Sequence, residues 1–317
     1  MRARSWLRLL GGAVVLAVLL WRFGTGPFVE AWRVTTWWAV LAALALTALA
    51  TLTSAWRWRV VAARLGVPLA PAPAITAYYR SQFLNATLPG GILGDAHRAV
   101  RHGHEASDLP AGLRATMWER VGGQVVQVGL TVLALLVLPS PLRPFCPLAI
   151  GLGLLVGLVM WWLRRRGATA RRGFVAADVR ALLERRTAAR IALAACGSTA
   201  AHVAVFLVAV RAVGVHAPLT MLVPTALVVL VVSSVPVNIA GWGPREGITA
   251  WAFGYVGLGA ANGLTVSVVY GGLAAVATLP GAAVLIADAF RRRSRRQSER
   301  PHETMTAQPE LEEARHG

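Results

Sequence analysis

The chain reads as an all-α polytopic integral membrane protein with two inverted-topology repeats, each of three spans plus a re-entrant or broken helix hairpin. Three observations lead there. Of its 317 residues, 56% are hydrophobic and 15% charged, with mean hydropathy +0.56. The apolar residues fall in near-continuous runs that a soluble domain of this length cannot hide. The net charge of +18 comes from arginine, with no lysine, and the arginines stand in blocks beside the apolar runs. That is the pattern that orients membrane spans, and it argues against a nucleic-acid partner. Finally, Leu88-Pro89-Gly90-Gly91-Ile92-Leu93-Gly94-Asp95-Ala96-His97-Arg98 recurs in outline as Val235-Pro236-Val237-Asn238-Ile239-Ala240-Gly241-Trp242-Gly243-Pro244-Arg245-Glu246. With the prolines superposed, Pro89/Pro236, Ile92/Ile239, Gly94/Gly241 and Arg98/Arg245 coincide at offsets 0, +3, +5 and +9. Proline stops an incoming helix, glycine permits close approach, and a repeated pair of such breaks marks the site of an inverted-repeat transporter.

In chain order, Arg2, Arg4 and Arg8 precede an apolar run at about 9–21, read as an uncleaved first span because no small-residue cleavage pattern follows. A second span at about 35–54 ends in Trp56-Arg57-Trp58-Arg59, an expected interface anchor. Residues 74–110 are too polar and interrupted to cross as one helix and fit a helix–break–helix hairpin tipped by Pro89-Gly90-Gly91. A third span follows at about 115–138, a turn at 139–147, and a fourth span at about 148–163. The densest basic segment, 164–190, reads as a loop, followed by a fifth span at about 191–213, a second hairpin at 219–258, or two full crossings there with the same end topology, and a last span at about 263–288. Residues 1–290 form a single transmembrane domain, with repeats at about 5–138 and 145–290; 291–317 form a basic, then polar, disordered tail.

Three crossings per half is an odd number, so the second half inserts upside down relative to the first. Placing both termini, the 164–190 segment and the 291–296 block in the cytoplasm satisfies the positive-inside rule at every dense block. The expected location is the cytoplasmic membrane.

The same residues carry a family resemblance. The stretch 88–98, Trp118-Glu119-Arg120-Val121 and the Pro236…Gly241-Trp242-Gly243-Pro244-Arg245-Glu246 turn resemble the lysylphosphatidylglycerol synthase transmembrane-region family, also called the flippase-like domain family. The resemblance in span pattern runs from about 5 to 290. It implies an integral membrane protein that moves or handles lipids, including aminoacylated phosphatidylglycerol in full-length members. The large soluble aminoacyl-transferase domain of those members is missing from this sequence, so synthesis of the modified lipid is not implied.

The candidate binding residues gather at the two breaks and on the third span. A helix restarting after Pro89-Gly90-Gly91 or at Pro244 presents unpaired N–H groups and a positive dipole end. Gly94, Gly241 and Gly243 allow the backbone to come close. Arg98 and Arg245 suit bidentate contacts to a phosphodiester, the alternative being that they snorkel to the two interfaces. Asp95 and Glu246 fall in first turns, where they complement the dipole or cap it, and Asp95 has Arg98 at i+3. The functional alternative is an amine-headgroup contact or a proton carrier. Glu119 and Arg120 begin an apolar span. Arg120, Gln124 and Gln127 follow i, i+4, i+7 and line one helix face, toward a cavity or as glue between helices. Asn85, Gln82, Arg80 and Asn238 extend the polar set.

No metal or cofactor is expected: the histidines lack a ligand-like partner set, and Cys146 and Cys196 are far apart in apolar surroundings. P-loop, GxSxG and HExxH signatures are missing. The leading expectation is a lipid translocase, not an enzyme, with membrane phospholipid as its partner. It would carry an anionic or aminoacylated phospholipid, or a polyprenyl-phosphate-linked lipid. The alternatives are a non-catalytic membrane partner of a lipid-modifying synthase and a membrane-embedded lipid-phosphate transferase.

Overall fold

The computed structural model describes residues 24–88, 91–148, 169–234 and 243–298, with Trp21, Ile150, Gly151, Leu154 and Leu158; for 169–174 and 291–298 it describes backbone alone. The expected spans at 9–21 and 148–163, Pro89, Gly90, Asn238 and Gly241, and the tail beyond 298 lie outside the described residues. Every regular element among the described residues is helical.

A short helix, α1 (Gly26–Val34), leads into α2 (Trp37–Arg64). At 1.5 Å per residue, the 28 residues of α2 reach about 42 Å, enough to cross a bilayer core. The expected span ends at 54, but nothing in Trp56-Arg57-Trp58-Arg59 breaks a helix. The helix continues until Gly66, with φ +83°, turns the chain. The interface-anchor expectation is corrected here: Arg57 and Trp58 are buried inside the bundle.

The first hairpin comprises α3 (Pro71–Thr87) and α4 (Leu93–Glu105). Proline disfavours helical geometry in the residue before it, and Leu88, preceding Pro89, is extended at φ −96°, ψ 146°. Next, α5 (Leu109–Val137) starts with Asp108 accepting a 2.9 Å bond from the Ala111 N–H. A 3-10 turn, Arg143–Phe145, follows.

The basic segment at 164–190, expected as a loop, contains a helix, α6 (Thr169–Leu183). Its buried Asp178 accepts from Arg114 Nε (3.1 Å) and Trp118 Nε1 (3.0 Å), tying α6 to α5. The chain continues through α7 (Arg185–Ala212), α8 (Leu219–Ser233), α9 (Pro244–Tyr255), α10 (Ala260–Ala277) and α11 (Leu279–Ser298). The last helix therefore extends past residue 290 into the segment expected to be disordered.

Among the described residues, four helical stretches are long and apolar enough to span a membrane: α2, α5, α7 and the α10–α11 stretch Ala260–Phe290. At the centre, α2 packs on α7 through small residues. Ala39, Ala43, Ala50 and Ala55 are buried on one helix, and Ala194, Ala195, Ala201 and Ala209 on the other. Small side chains let membrane helices approach closely where lipid provides no hydrophobic drive to associate. A larger core joins Phe206 and Val210 of α7 to Leu222 of α8, Phe253 of α9 and Val266 of α10.

α4 also packs closely on α5, where a Cβ built on Gly112 falls 2.5 Å from the Gly103 Cα. Gly112→Ala is expected to cost about 1–3 kcal/mol by overpacking, read as a lower unfolding temperature in detergent. Gly129→Ala, with no neighbour within 4 Å among the described residues, should leave that temperature unchanged or raise it. Equal behaviour of the two variants would contradict this packing.

Candidate functional site

The first hairpin break is held shut by its own side chains. Gly91 takes φ +61°, and α4 begins so close to α3 that a Cβ on Gly94 would strike the Ser81 carbonyl. The Gly94 N–H donates to Asn85 Oδ1 at 2.8 Å, while Asn85 Nδ2 donates to Asp95 Oδ2 at 2.8 Å. Asn85 therefore satisfies a free N–H at the start of α4 and orients the first-turn carboxylate.

Asp95 also accepts from Ser81 Oγ (2.9 Å), from Arg98 Nη2 (2.9 Å) and from Arg120. Glu119, 0% exposed, stands beside it on α5. It accepts from Arg57 of α2 at 2.9 Å (Nε) and 2.5 Å (Nη2), from the Tyr78 hydroxyl of α3 at 3.0 Å, and from Arg98 Nη2 at 3.0 Å. The Arg98 Nη2 group thus bridges both carboxylates. Its guanidinium lies over the rings of Tyr78 (4.2 Å to the centroid) and Trp58 (4.4 Å), which adds cation–π attraction to each. Arg57 Nη1 reaches α7, donating to Ser198 Oγ at 3.2 Å. Below the cluster, His102 bonds the Val67 carbonyl at 3.0 Å, and burial holds its imidazole below its ordinary pKa.

One side of this network walls a polar cavity of about 350 Å³. α5 contributes Glu119, Arg120, Gly123, Gln124 and Gln127; α3 and α4 contribute Asn85 and Asp95; α7 contributes Ser198, Thr199 and His202. Ser233 and Ser234, at the end of α8, close it. Three arginines (57, 98 and 120) meet two carboxylates (95 and 119), leaving one formal positive charge. The Arg120 side chain, 43% exposed, is the cation most open to a ligand. A second space of about 570 Å³, almost wholly apolar, lies between α5, α7 and α8. Thr199 belongs to the walls of both. Along α5 the lining passes from Gln124 and Gln127 to Leu130, Leu133 and Val137.

Of the residues singled out in sequence, Asn85, Gly94, Asp95, Arg98, Glu119, Arg120 and Gln124 come together here. Arg98 is 1% exposed and does not snorkel to an interface. Gly243, Arg245 and Glu246 lie apart from this cavity, against α10. Glu246 accepts from the Gly243 N–H (2.6 Å), the cap expected of a first-turn acid, and from Arg245 Nη2 (2.6 Å) and Ser267 Oγ (3.2 Å). The Arg245 guanidinium sits 5.5 Å from the Tyr270 ring centroid. Gly90, Asn238 and Gly241 are among the positions outside the described residues. Arg57, Tyr78, Ser198 and His202 were not singled out as site residues. Arg57 carried a usable signal, an arginine within a helix that buries alanine on the same face.

A buried carboxylate that loses its charge leaves its cations uncompensated. Glu119→Gln is expected to cost about 3–5 kcal/mol of stability in detergent unfolding. The double variant Arg57→Gln/Glu119→Gln should lose less than the sum of the single losses. Additive losses would show that the pair is not coupled.

A family model described as the lysylphosphatidylglycerol synthase TM region matches residues 5–281. Comparison with curated proteins returns no match.

Proposed function

The chain belongs to the lysylphosphatidylglycerol synthase TM-region family, and on that premise we propose that it translocates a lipid with an anionic or aminoacylated headgroup across the cytoplasmic membrane. The observation that carries this reading is the junction at Thr199, where a polar, positively charged cavity meets an apolar groove. An amphipathic ligand matches such a pair. A phosphate fits beside Arg120, Gln124 and Ser198, and an acyl chain fits along Leu130, Val203 and Leu227. An attached amine would face Asp95, whose carboxylate is already at the cavity wall. A polyprenyl-phosphate lipid satisfies the same chemistry.

The reading includes an inverted repeat and alternating access. Helix packing supports it, because contacts pair off when the halves are exchanged. α2 packs on α3 as α7 packs on α8; α3 on α4 as α8 on α9; α4 on α5 as α9 on α10; α2 on α5 as α7 on α10; and α5 on α7 as α10 on α2. Arg98 and Arg245, nine positions after their superposed prolines, each reach across to the span that follows their hairpin, α5 and α10 respectively. In the proposed orientation both termini are cytoplasmic, as the arginine blocks require. No covalent chemistry is assigned: the carboxylates of Asp95 and Glu119 are occupied by arginines.

The test is headgroup accessibility in proteoliposomes carrying fluorescent phosphatidylglycerol, phosphatidylcholine or a polyprenyl phosphate. Headgroup-selective movement is expected for the wild type. Arg120→Gln should reduce it by about tenfold, as loss of one charge-assisted contact implies, and Thr199→Trp, which blocks the junction, should abolish it. Movement of no lipid by the wild type would reject autonomous translocation and favour a partner role beside a lipid synthase.

A further inference from the structure

A second polar cavity, of about 510 Å³, lies on the other side of Arg98, between the end of α2, the start of α3, the end of α4 and α11. Its walls carry Arg80, Arg98 and Arg101 with Trp58, and two carboxylates, Glu105 and Asp288. Asp288 of α11 accepts from Arg80 Nη1 (2.6 Å) and Arg101 Nη1 (2.8 Å), and Arg101 also donates to Glu105 (2.8 Å). These bonds leave donors over. Arg98 Nε and Nη1, Arg80 Nε and Trp58 Nε1 are buried and have no hydrogen-bond partner among the described residues. Arg98 and Arg80 are 1% and 4% exposed. An unpaired buried donor on a charged group costs several times what a formed bond returns, so such a set calls for an acceptor.

We infer that this cavity is a binding site for a phosphate-type oxyanion, held by Arg80 and Arg98, whose arrival competes with Asp288 for the arginines. Guanidinium edges match the oxygens of a tetrahedral anion, and a phosphate presents more acceptors than the single Asp288 oxygen now bound. Across both cavities, five arginines (57, 80, 98, 101 and 120) face four carboxylates (95, 105, 119 and 288), and one monoanion neutralises the excess. Arg98 is the wall the two cavities share. It lines this one while its Nη2 group holds Asp95 and Glu119, which line the other. An anion drawn onto the unpartnered edge of Arg98 therefore weakens the bridge that closes the deeper cavity. In the proposed orientation this site lies at the cytoplasmic end, one step before the translocation cavity. The position in the path rests on the proposed function; the binding site does not.

The test measures binding without transport. In a Cys146→Ala/Cys196→Ala background, Thr76→Cys places a thiol on the exposed rim of this cavity, and its rate of maleimide modification is followed in neutral detergent. Dihexanoyl phosphatidylglycerol, dihexanoylglycerol and inorganic phosphate serve as probes. Protection is expected from the phosphate-bearing lipid and not from dihexanoylglycerol. Protection by inorganic phosphate at equal or lower concentration would keep the oxyanion site and assign it free phosphate. Asp288→Asn, which releases the arginines, should strengthen protection, whereas Arg80→Gln should weaken it by about tenfold, one charge-assisted bond. A purely structural Asp288 would leave the protecting concentration unchanged or raise it. Lack of protection by every probe in both the wild-type site and Asp288→Asn would overturn the inference. Protection in a protein that moves no lipid would preserve this site and reject the translocation reading.

Discussion

Glu119 is a fully buried carboxylate, and the arrangement of the first half of the protein follows from what it needs. A charge buried at that depth persists only when cations and hydrogen-bond donors surround it. Arg57, Tyr78 and Arg98 meet that need from α2, α3 and α4, so one side chain on α5 fixes four helices against each other. Asp95 repeats the device one layer closer to the hairpin break, recruiting Ser81, Asn85, Arg98 and Arg120. Beside the break, Asn85 Oδ1 accepts from the Gly94 N–H, a donor at the start of α4 that has no partner within its own helix.

The same cluster divides the polar interior. Arg98, held against Tyr78 and Trp58, stands between a space lined by Arg80 and Arg101 and one lined by Arg120, Gln124 and Ser198. Ion pairs suit this position because they have discrete alternatives. A guanidinium that leaves one carboxylate can be taken by another anion at little net cost, whereas a packed apolar wall would have to be torn open. The second half shows a related arrangement in a simpler form, with Arg245 reaching from its hairpin to Ser267 and Tyr270 of α10.

What could be read in the sequence was mostly what depends on near neighbours. Pro89-Gly90-Gly91 announced the break, Asp95 and Arg98 their i+3 pairing, and Arg120, Gln124 and Gln127 a shared face that lines the cavity. Arg57 was misplaced because aromatic and cationic residues in Trp56-Arg57-Trp58-Arg59 have the composition of an interface belt. Its burial depends on Glu119, 62 positions away. Ser198, Thr199 and His202 look like ordinary small or polar residues in an apolar helix, and only the approach of α7 to α5 gives them a cavity to face. The helix within 164–190 was hidden by its arginines; the contact that anchors it, Asp178 to Trp118, spans 60 positions.

We propose that the polar cavity and the apolar groove joined at Thr199 accept one lipid. Electron cryomicroscopy of the protein in nanodiscs of anionic phospholipid tests it most directly. A headgroup phosphate is expected within hydrogen-bonding distance of Arg120 or Gln124, with an acyl chain continuing past Thr199 along Leu130 and Leu227. Lipid found only around the outside of the bundle, with the cavity holding water and the groove closed, would contradict it.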